Sequence, residues 1–316
     1  MVLLSQKTMK ARRFKENVCS HVYQRTRNRF NIFYDLNDYL VYYTIFSVAV
    51  RRYGVDILAL CLMIDHIHML VSAPELKTLS DFVSFVTSVF VREYNSSIGR
   101  SGPLFEERFG SAPKKDSKKL RSAIIYLGNN PVERKICLRA EQYRWNFIAY
   151  LASAHPFSEK LVRSRASYHM KKAMKEVDIC RSTEKYLNYA VLSRMMKRLT
   201  PLEKKQLTDY IISSYFFIDR SVLMSNFNSY EEMLTSMHST TGSEHDLKEY
   251  FDRMSDSVYR DMIKVARNNS QEDVRSVIVG SSERKFQMAE EIKRHTAAPL
   301  WQIAKFLHLE IRNATR

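Results

Sequence analysis

Two short stretches hold the residues best suited to chemistry. In CLMIDHIHMLVSA, Cys61 to Ala73, an apolar run carries one acid, Asp65, and two histidines, His66 and His68. On a β-strand, residues i and i+2 share a face, so the two imidazoles would stand side by side with Ile67 pointing the other way. Two neutral imidazoles at that spacing make half of a divalent metal site. The pattern equally suits two buried rings satisfied by hydrogen bonds, and an HxH by itself does not choose between them. In AIIYLGNNPVERK, Tyr126 lies four residues before Asn130. On a helix that spacing gives a phenol and an amide oxygen a common face. Tyr126 also fits a core aromatic, with GNNP as a helix stop. Asn130 precedes Pro131 and is biased away from the helical region, which makes Asn129 the substitute donor.

The elements that would position these groups are readable from periodicity. VCSHVYQRT, Val18 to Thr26, alternates like a strand, and RNRFNIFYD follows as a basic-aromatic connection. LNDYLVYYTIFSVAVRRYG has helical spacing with Gly54 as its stop. VDILALCLMID and HIHMLVSA read as two strands joined by a tight turn near Asp65. Pro74 and Glu75 interrupt the pattern before a long amphipathic helix ending in Asn, Ser and Gly. Gly102 to Pro113 returns to extended structure, and DSKKLRSAIIYLGNNP predicts a helix opened by Asp116 or Ser117 and stopped at Pro131. The order β-α-β-β-α-β-α implies an α+β fold, an antiparallel sheet with packed helices.

The chain has 316 residues, and its 50 Lys+Arg against 34 Asp+Glu give a formal charge of +16. That length permits two domains with a sizeable core. The positive excess favours a polyanionic partner, because each neutralised phosphate releases condensed counterions. Nucleic acid leads. A membrane is disfavoured, since charges interrupt every apolar stretch before the roughly 18 residues a spanning helix needs. No secretory h-region follows Met1, and a cytoplasmic location is expected. Cys19, Cys61, Cys137 and Cys180 include no CxxC pair and read as isolated thiols. Between Phe105 and Tyr150, aromatics alternate with cations, Arg108, Lys114, Lys115, Arg134, Arg144 and Trp145 among them. Such a stretch could hold a single strand by phosphate contacts and base stacking.

LMIDHIHMLV, GPLFEERFGS, IIYLGNNPV and YRWNFIAYL resemble, in that order, the landmarks of the IS200/IS605-like Y1 (HUH) transposases, and especially the REP-associated tyrosine transposase branch. SHVYQRT is similar to that branch's first strand, and the resemblance spans roughly residues 14 to 152. It implies a ferredoxin-like α+β catalytic domain over residues 1–155, with the histidine pair on a central strand and the tyrosine on a later helix. By position, His66 and His68 match the metal-binding pair, Tyr126 the nucleophile and Asn130 the third, polar ligand. The implied activity is metal-dependent cleavage and rejoining of single-stranded, hairpin-bearing DNA through a 5′-phosphotyrosine. The implied cofactor is Mg²⁺ or Mn²⁺; imidazoles with an amide oxygen suit Mn²⁺ somewhat better. A bacterial, nucleoid-associated setting and a homodimer accord with the resemblance. Asp65 stands where many relatives have Asn, and Gly128 where relatives of the branch often carry a larger residue. His21, Asp65 and Glu106 are candidate auxiliary groups, each with a structural reading as strand histidine, turn residue and surface acid.

Residues 156–316 form a mostly helical basic region with breaks at Pro201, Gly242 and Gly280, the boundary falling near Ala154 to Lys160. PLWQIAKFLHL resembles the second helix and turn of a helix-turn-helix, with Ile303, Ala304, Phe306 and Leu307 as its packing face, and equally suits a plain amphipathic helix. A DNA-binding appendage is the expectation. The competing class is a domesticated, non-catalytic DNA-binding or regulatory protein, and RNA binding is a third reading.

Overall fold

The computed structural model describes residues 13–239, 255–269 and 273–310. Four antiparallel strands, β1 (Ser20–Arg25), β2 (Asp56–Leu62), β3 (His66–Ser72) and β4 (Gly110–Pro113), form one sheet in the order β2-β3-β1-β4. Three helices belong to the same half: α1 (Leu36–Tyr53), α2 (Leu76–Ile98) and α3 (Ser117–Glu133). The predicted α+β order and antiparallel sheet are observed. Of the extended segment expected over Gly102 to Pro113, only β4 joins the sheet, with one isolated bridge between Thr26 and Phe105. β1 offers Ser20 to Tyr23 as partners for β4 and ends at Arg25, so the segment before Gly110 has little edge to pair with.

Local chemistry accounts for the helix ends. Asp35 caps α1 in a reciprocal box with Asp38, and Gly54 closes it in the left-handed conformation that glycine adopts without a Cβ penalty. Asp116 caps α3 by accepting from the Lys119 N–H at 2.8 Å. Contrary to the expected stop, α3 runs through Pro131 to Glu133. Pro131 removes one N–H, and the turn is supported from outside, where the Asn146 amide donates to the Gly128 carbonyl at 2.7 Å. Asn130 therefore stays helical, on the face of Tyr126.

The sheet separates two layers. Gln24 of β1 donates to Thr87 of α2 at 2.8 Å, which puts Val22, Gln24, Ile67 and Met69 on the α1/α2 side. His21 and His68 point to the opposite face and meet Tyr126 of α3. The second half adds α4 (Tyr168–Ser182), α5 (Tyr189–Met196), α6 (Pro201–Ser214), α7 (Arg220–Met224), α8 (Tyr230–Ser239), α9 (Val258–Asn269), α10 (Ser282–His295) and α11 (Leu300–Leu307). α5 and α6 pack on the outer side of α1, which is buried at every position from Leu40 to Ala49. A helix covered all round must satisfy its polar side chains internally, and Thr44 and Ser47 donate to the Leu40 and Tyr215 carbonyls at 2.9 and 2.6 Å. One hydrophobic core runs through both halves. The segment at Ala154 to Lys160 is pinned: buried Asp209 of α6 accepts from Arg144, Tyr150, Phe157 N–H and Ser158. Gly242, predicted to break a helix, lies outside the described residues. Ile303, Ala304, Phe306 and Leu307 are buried, as a packing face should be. α11 ends at His308, and most of what would continue a helix-turn-helix, residues 311–316, also lies outside the described residues.

Candidate active site

β1, β3 and α3 bring together a compact polar cluster in an apolar surrounding. The β1–β3 register places His68 opposite Tyr23 and His66 opposite Arg25, so the imidazoles share the sheet face covered by α3. Their ring centres lie 4.8 Å apart and nearly perpendicular. Tyr126 projects from α3 with its ring centre 5.8 Å from those of both His68 and His21. One turn later Asn130 brings its amide to 3.5 Å from His68 Nε2.

Hydrogen bonds orient the two histidines. His66 Nδ1 lies 2.6 Å from an Asp65 carboxylate oxygen. A carboxylate accepts only, so Nδ1 carries the proton and Nε2 presents a lone pair. His68 Nδ1 lies 3.0 Å from His21 Nε2. With the Asn130 amide donating to His68 Nε2, the proton on His68 sits on Nδ1 and is given to His21. Of the atoms that could face a shared ligand here, His66 Nε2 and Asn130 Oδ1 are among the buried polar atoms without a hydrogen-bond partner. A buried lone pair without a partner costs about 1–3 kcal/mol unless something satisfies it. Imidazole nitrogens with an amide oxygen, one imidazole backed by a carboxylate, form a donor set suited to a divalent first-row ion. The residues present fit a metal. Among the described residues, no group of three or more His, Cys, Asp or Glu side chains is disposed to hold one, so His66 and His68 need a donor of another type. Asn130 supplies that type.

Charges from the second half surround the Asp65–His66 pair. Burial raises the Asp65 pKa, but His66, Arg134 and Lys305 outweigh it and hold the carboxyl below the usual range. Asp256, just before α9, is pushed up to about 6 by burial and by the Asp65 charge, against the pull of Arg134, His66 and Lys305. Its N–H is held by the Arg134 carbonyl at 2.9 Å. α11 fastens the loop before α1: Tyr34 donates to the Phe306 carbonyl, and His308 stacks on Phe30 at 4.6 Å. Behind Tyr126, α8 packs on α3 at Gly128, where a Cβ would overlap the Met237 side chain. The small residue at 128 makes room for the second half. Tyr126 is only 3% exposed, His66 4% and His68 0%.

Residues 14–129 match the family described as Transposase IS200 like. Over these residues the chain is similar to the IS200-like transposases. The chain is similar to a solved structure of a REP-associated tyrosine transposase bound to a REP hairpin, with 15% identity over 46% of this chain and 85% of that one, at a TM-score of 0.40. No curated protein matches the chain.

The structure places the predicted DNA-contacting residues unevenly. Arg108 and Lys115 are exposed. Lys114 is buried, its N–H donating to the Cys19 carbonyl at 2.8 Å. Arg134 is buried among Asp65, Asp256 and Tyr259. Arg144 pairs with Asp209 at 2.6 Å and lies over Phe157, so its charge is spent inside the protein. Trp145 stacks on Tyr39 at 4.4 Å. Asn129 is buried on α3 beside Asn130, and Glu106 is exposed away from the cluster, lining a groove with α2. Sequence reasoning passed over Tyr23, two residues from His21 and therefore on its face, whose ring crosses Gly110 and carries the Arg25 guanidinium at 5.2 Å. It also passed over Asp256, Tyr259 and Lys305, which lie nearly two hundred positions or more from Asp65 and carry no local signal. No helix among the described residues is long and apolar enough to cross a membrane.

Proposed function

We propose that the protein is a metal-dependent transposase or endonuclease that cleaves and rejoins single-stranded, hairpin-bearing DNA, with Tyr126 as nucleophile. The observation that carries this reading is the convergence of Tyr126, His66, His68 and Asn130 beneath one face of the sheet, with His66 Nε2 and Asn130 Oδ1 unpartnered. A divalent ion bound by His66, His68 and Asn130 would act as a Lewis acid on the scissile phosphate. The chain's own residues do the rest. Asp65 fixes the His66 tautomer, and His21 fixes that of His68. α3 holds the Tyr126 ring 5.8 Å from that of His68. The phenol oxygen attacks phosphorus and the 3′-oxygen leaves, giving a 5′-phosphotyrosine that conserves the bond for rejoining without ATP. A phenol has a pKa near ~10 and must lose its proton on attack, and His21 is the nearest ring besides His68 to help direct it.

A covalent adduct tests the proposal. Wild-type protein with Mn²⁺ and labelled single-stranded hairpins from the DNA flanking the gene should give an adduct on the 5′-phosphate side in a denaturing gel. Tyr126→Phe and EDTA should each remove it, and Tyr126→Phe should leave binding nearly unchanged. Adduct persisting in Tyr126→Phe would refute the assignment. The burial of Tyr126 favours a second reading, a DNA-binding derivative that no longer cuts. Tight hairpin binding with no adduct over a broad panel would select it.

A further inference from the structure

A groove of about 490 Å³ lies where the first half of the chain meets α9, and nothing in the chemistry above uses it. One wall is a stack of three rings. Phe33 lies on Tyr39 at 4.3 Å, and Tyr39 on Trp145 at 4.4 Å, with planes 14° and 5° apart. Trp145, partly exposed, ends this stack among the described rings. The opposite wall is α9, whose Arg260, Lys264 and Arg267 are exposed and, at positions i, i+4 and i+7, share one helix face toward the groove. Arg260 donates to the Ile136 carbonyl at 2.8 Å, which fixes it at the rim, and Lys264 forms an exposed pair with Asp261. The two carboxylates in the lining are committed elsewhere: Asp35 caps α1, and Asp256 is buried beside Arg134.

An aromatic platform facing a row of cations is the arrangement that holds an unpaired nucleotide, base on ring and phosphate on cation. The volume lies within the roughly 300–1,000 Å³ of small-ligand sites. The groove also borders the candidate active site, since its lining includes Ile64, the residue before Asp65. We infer that this groove receives an unpaired nucleotide of single-stranded DNA adjoining the cleavage point, its base stacked on Trp145 and its backbone on Lys264 and Arg267. The inference rests on the proposed function for the chemical class of its ligand. It assigns to the second half a direct part in holding the strand.

The chain has two tryptophans, so Trp301→Phe leaves Trp145 as the single indole. That variant would be titrated with a fluorescein-labelled hairpin carrying a single-stranded thymidine tail, and with the same hairpin blunt. Anisotropy and tryptophan emission would be read together, and the covalent adduct scored on the same samples. Stacking predicts quenching of Trp145 by the tailed hairpin and none by the blunt one. Trp145→Leu should weaken binding of the tailed hairpin roughly tenfold or more while sparing the blunt one. Lys264→Gln with Arg267→Gln should reduce the salt dependence of tailed-hairpin binding by about 0.7 in slope for each lost contact. Binding by anisotropy with unchanged Trp145 emission would overturn the inference even if the adduct forms. Quenching without an adduct would support the groove and count against cleavage. Failure of both hairpins to bind would overturn both.

Discussion

Arg275 is the fastening whose removal the structure prices most directly. Its side chain is 3% exposed and sits 3.1 Å from fully buried Asp38. It also pairs with Asp273, donates to Ser97 at 2.9 Å and lies 4.1 Å above Tyr189. Asp38 accepts in addition from the N–H groups of Tyr34 and Asp35 and from Tyr189, at 2.8, 3.0 and 2.8 Å. Arg275→Met keeps much of the volume and removes the charge. Stripping one partner from a buried ion pair costs about 3–5 kcal/mol. Two features set this case at the lower end near neutral pH. The remaining donors still serve Asp38, and burial with the neighbouring Asp35 already pushes its pKa up to about 8 despite Arg275, so without the guanidinium it can take a proton. An acid whose folded pKa is raised loses stability as pH climbs through that value. The cost of Arg275→Met should therefore be about 3 kcal/mol at neutral pH and larger above pH ~9. Adding Asp38→Asn should recover more than ~1 kcal/mol of it above pH ~9, where a carboxylate would otherwise be left charged without its partner. Urea unfolding across pH, with hydrogen exchange in peptides from α9 to α11, gives both readouts. A loss below ~1 kcal/mol that does not change with pH would refute the argument.

Other substitutions probe separate contacts. His66→Ala should abolish calorimetric Mn²⁺ binding, and Asp65→Asn should weaken it by about 10–100-fold through the freed imidazole; unchanged affinity returns the pair to a hydrogen-bonded structural role. Gly128→Ala should cost up to ~2 kcal/mol, because crowding of Met237 exceeds the helix propensity gained. In a Met237→Ala background it should stabilise by about 1 kcal/mol, and the same sign in both backgrounds by thermal unfolding would reject the overlap. Asp256, with its pKa raised to about 6, favours the fold below pH ~4 and loses that contribution as pH rises through 6. In EDTA, Asp256→Asn should match wild type at low pH and exceed its stability at pH 8. Parallel pH profiles would place Asp256 outside the charged cluster.

Much of the first half was legible because its signals are local. Period-two alternation gave β1 and the β2–β3 hairpin, and the i to i+2 spacing put His66 and His68 on one face. Gly54 and Asp116 marked helix ends for ordinary reasons of φ and capping. The helix stop was misread at Pro131 because the support for that turn comes from Asn146, sixteen positions after Asn130 and invisible to a window. Charge was the weakest guide. Lys114, Arg134 and Arg144 look in sequence like phosphate contacts and are turned inward, each by a burial or a carboxylate that only the tertiary structure supplies. The three cations of α9 show helical spacing in the sequence, but only the fold sets them opposite Trp145.

The burial of Tyr126 links stability to the proposed chemistry. A phosphodiester cannot reach a Tyr126 hydroxyl in a residue 3% exposed without some displacement of what lies over it. α3 and the sheet are tied by the core, so the parts to yield are the helices of the second half, which are held largely by individual side-chain contacts. α8 is held by Met237 against Gly128, by the Arg121–Glu232 pair and by His238 on Glu141, and the segment from α9 to α11 by Arg275, by the His308 and Tyr34 contacts and by Arg260 and Asp256 on the Ile136 and Arg134 carbonyls. If displacement of α9 to α11 limits entry, Arg275→Met should lower stability and yet raise the initial rate of adduct formation per folded molecule. That pairing of opposite signs is not what simple loss of fold produces. An adduct rate that falls in step with the folded fraction would locate entry elsewhere, on the α8 side, where Met237→Ala would be the change that speeds it.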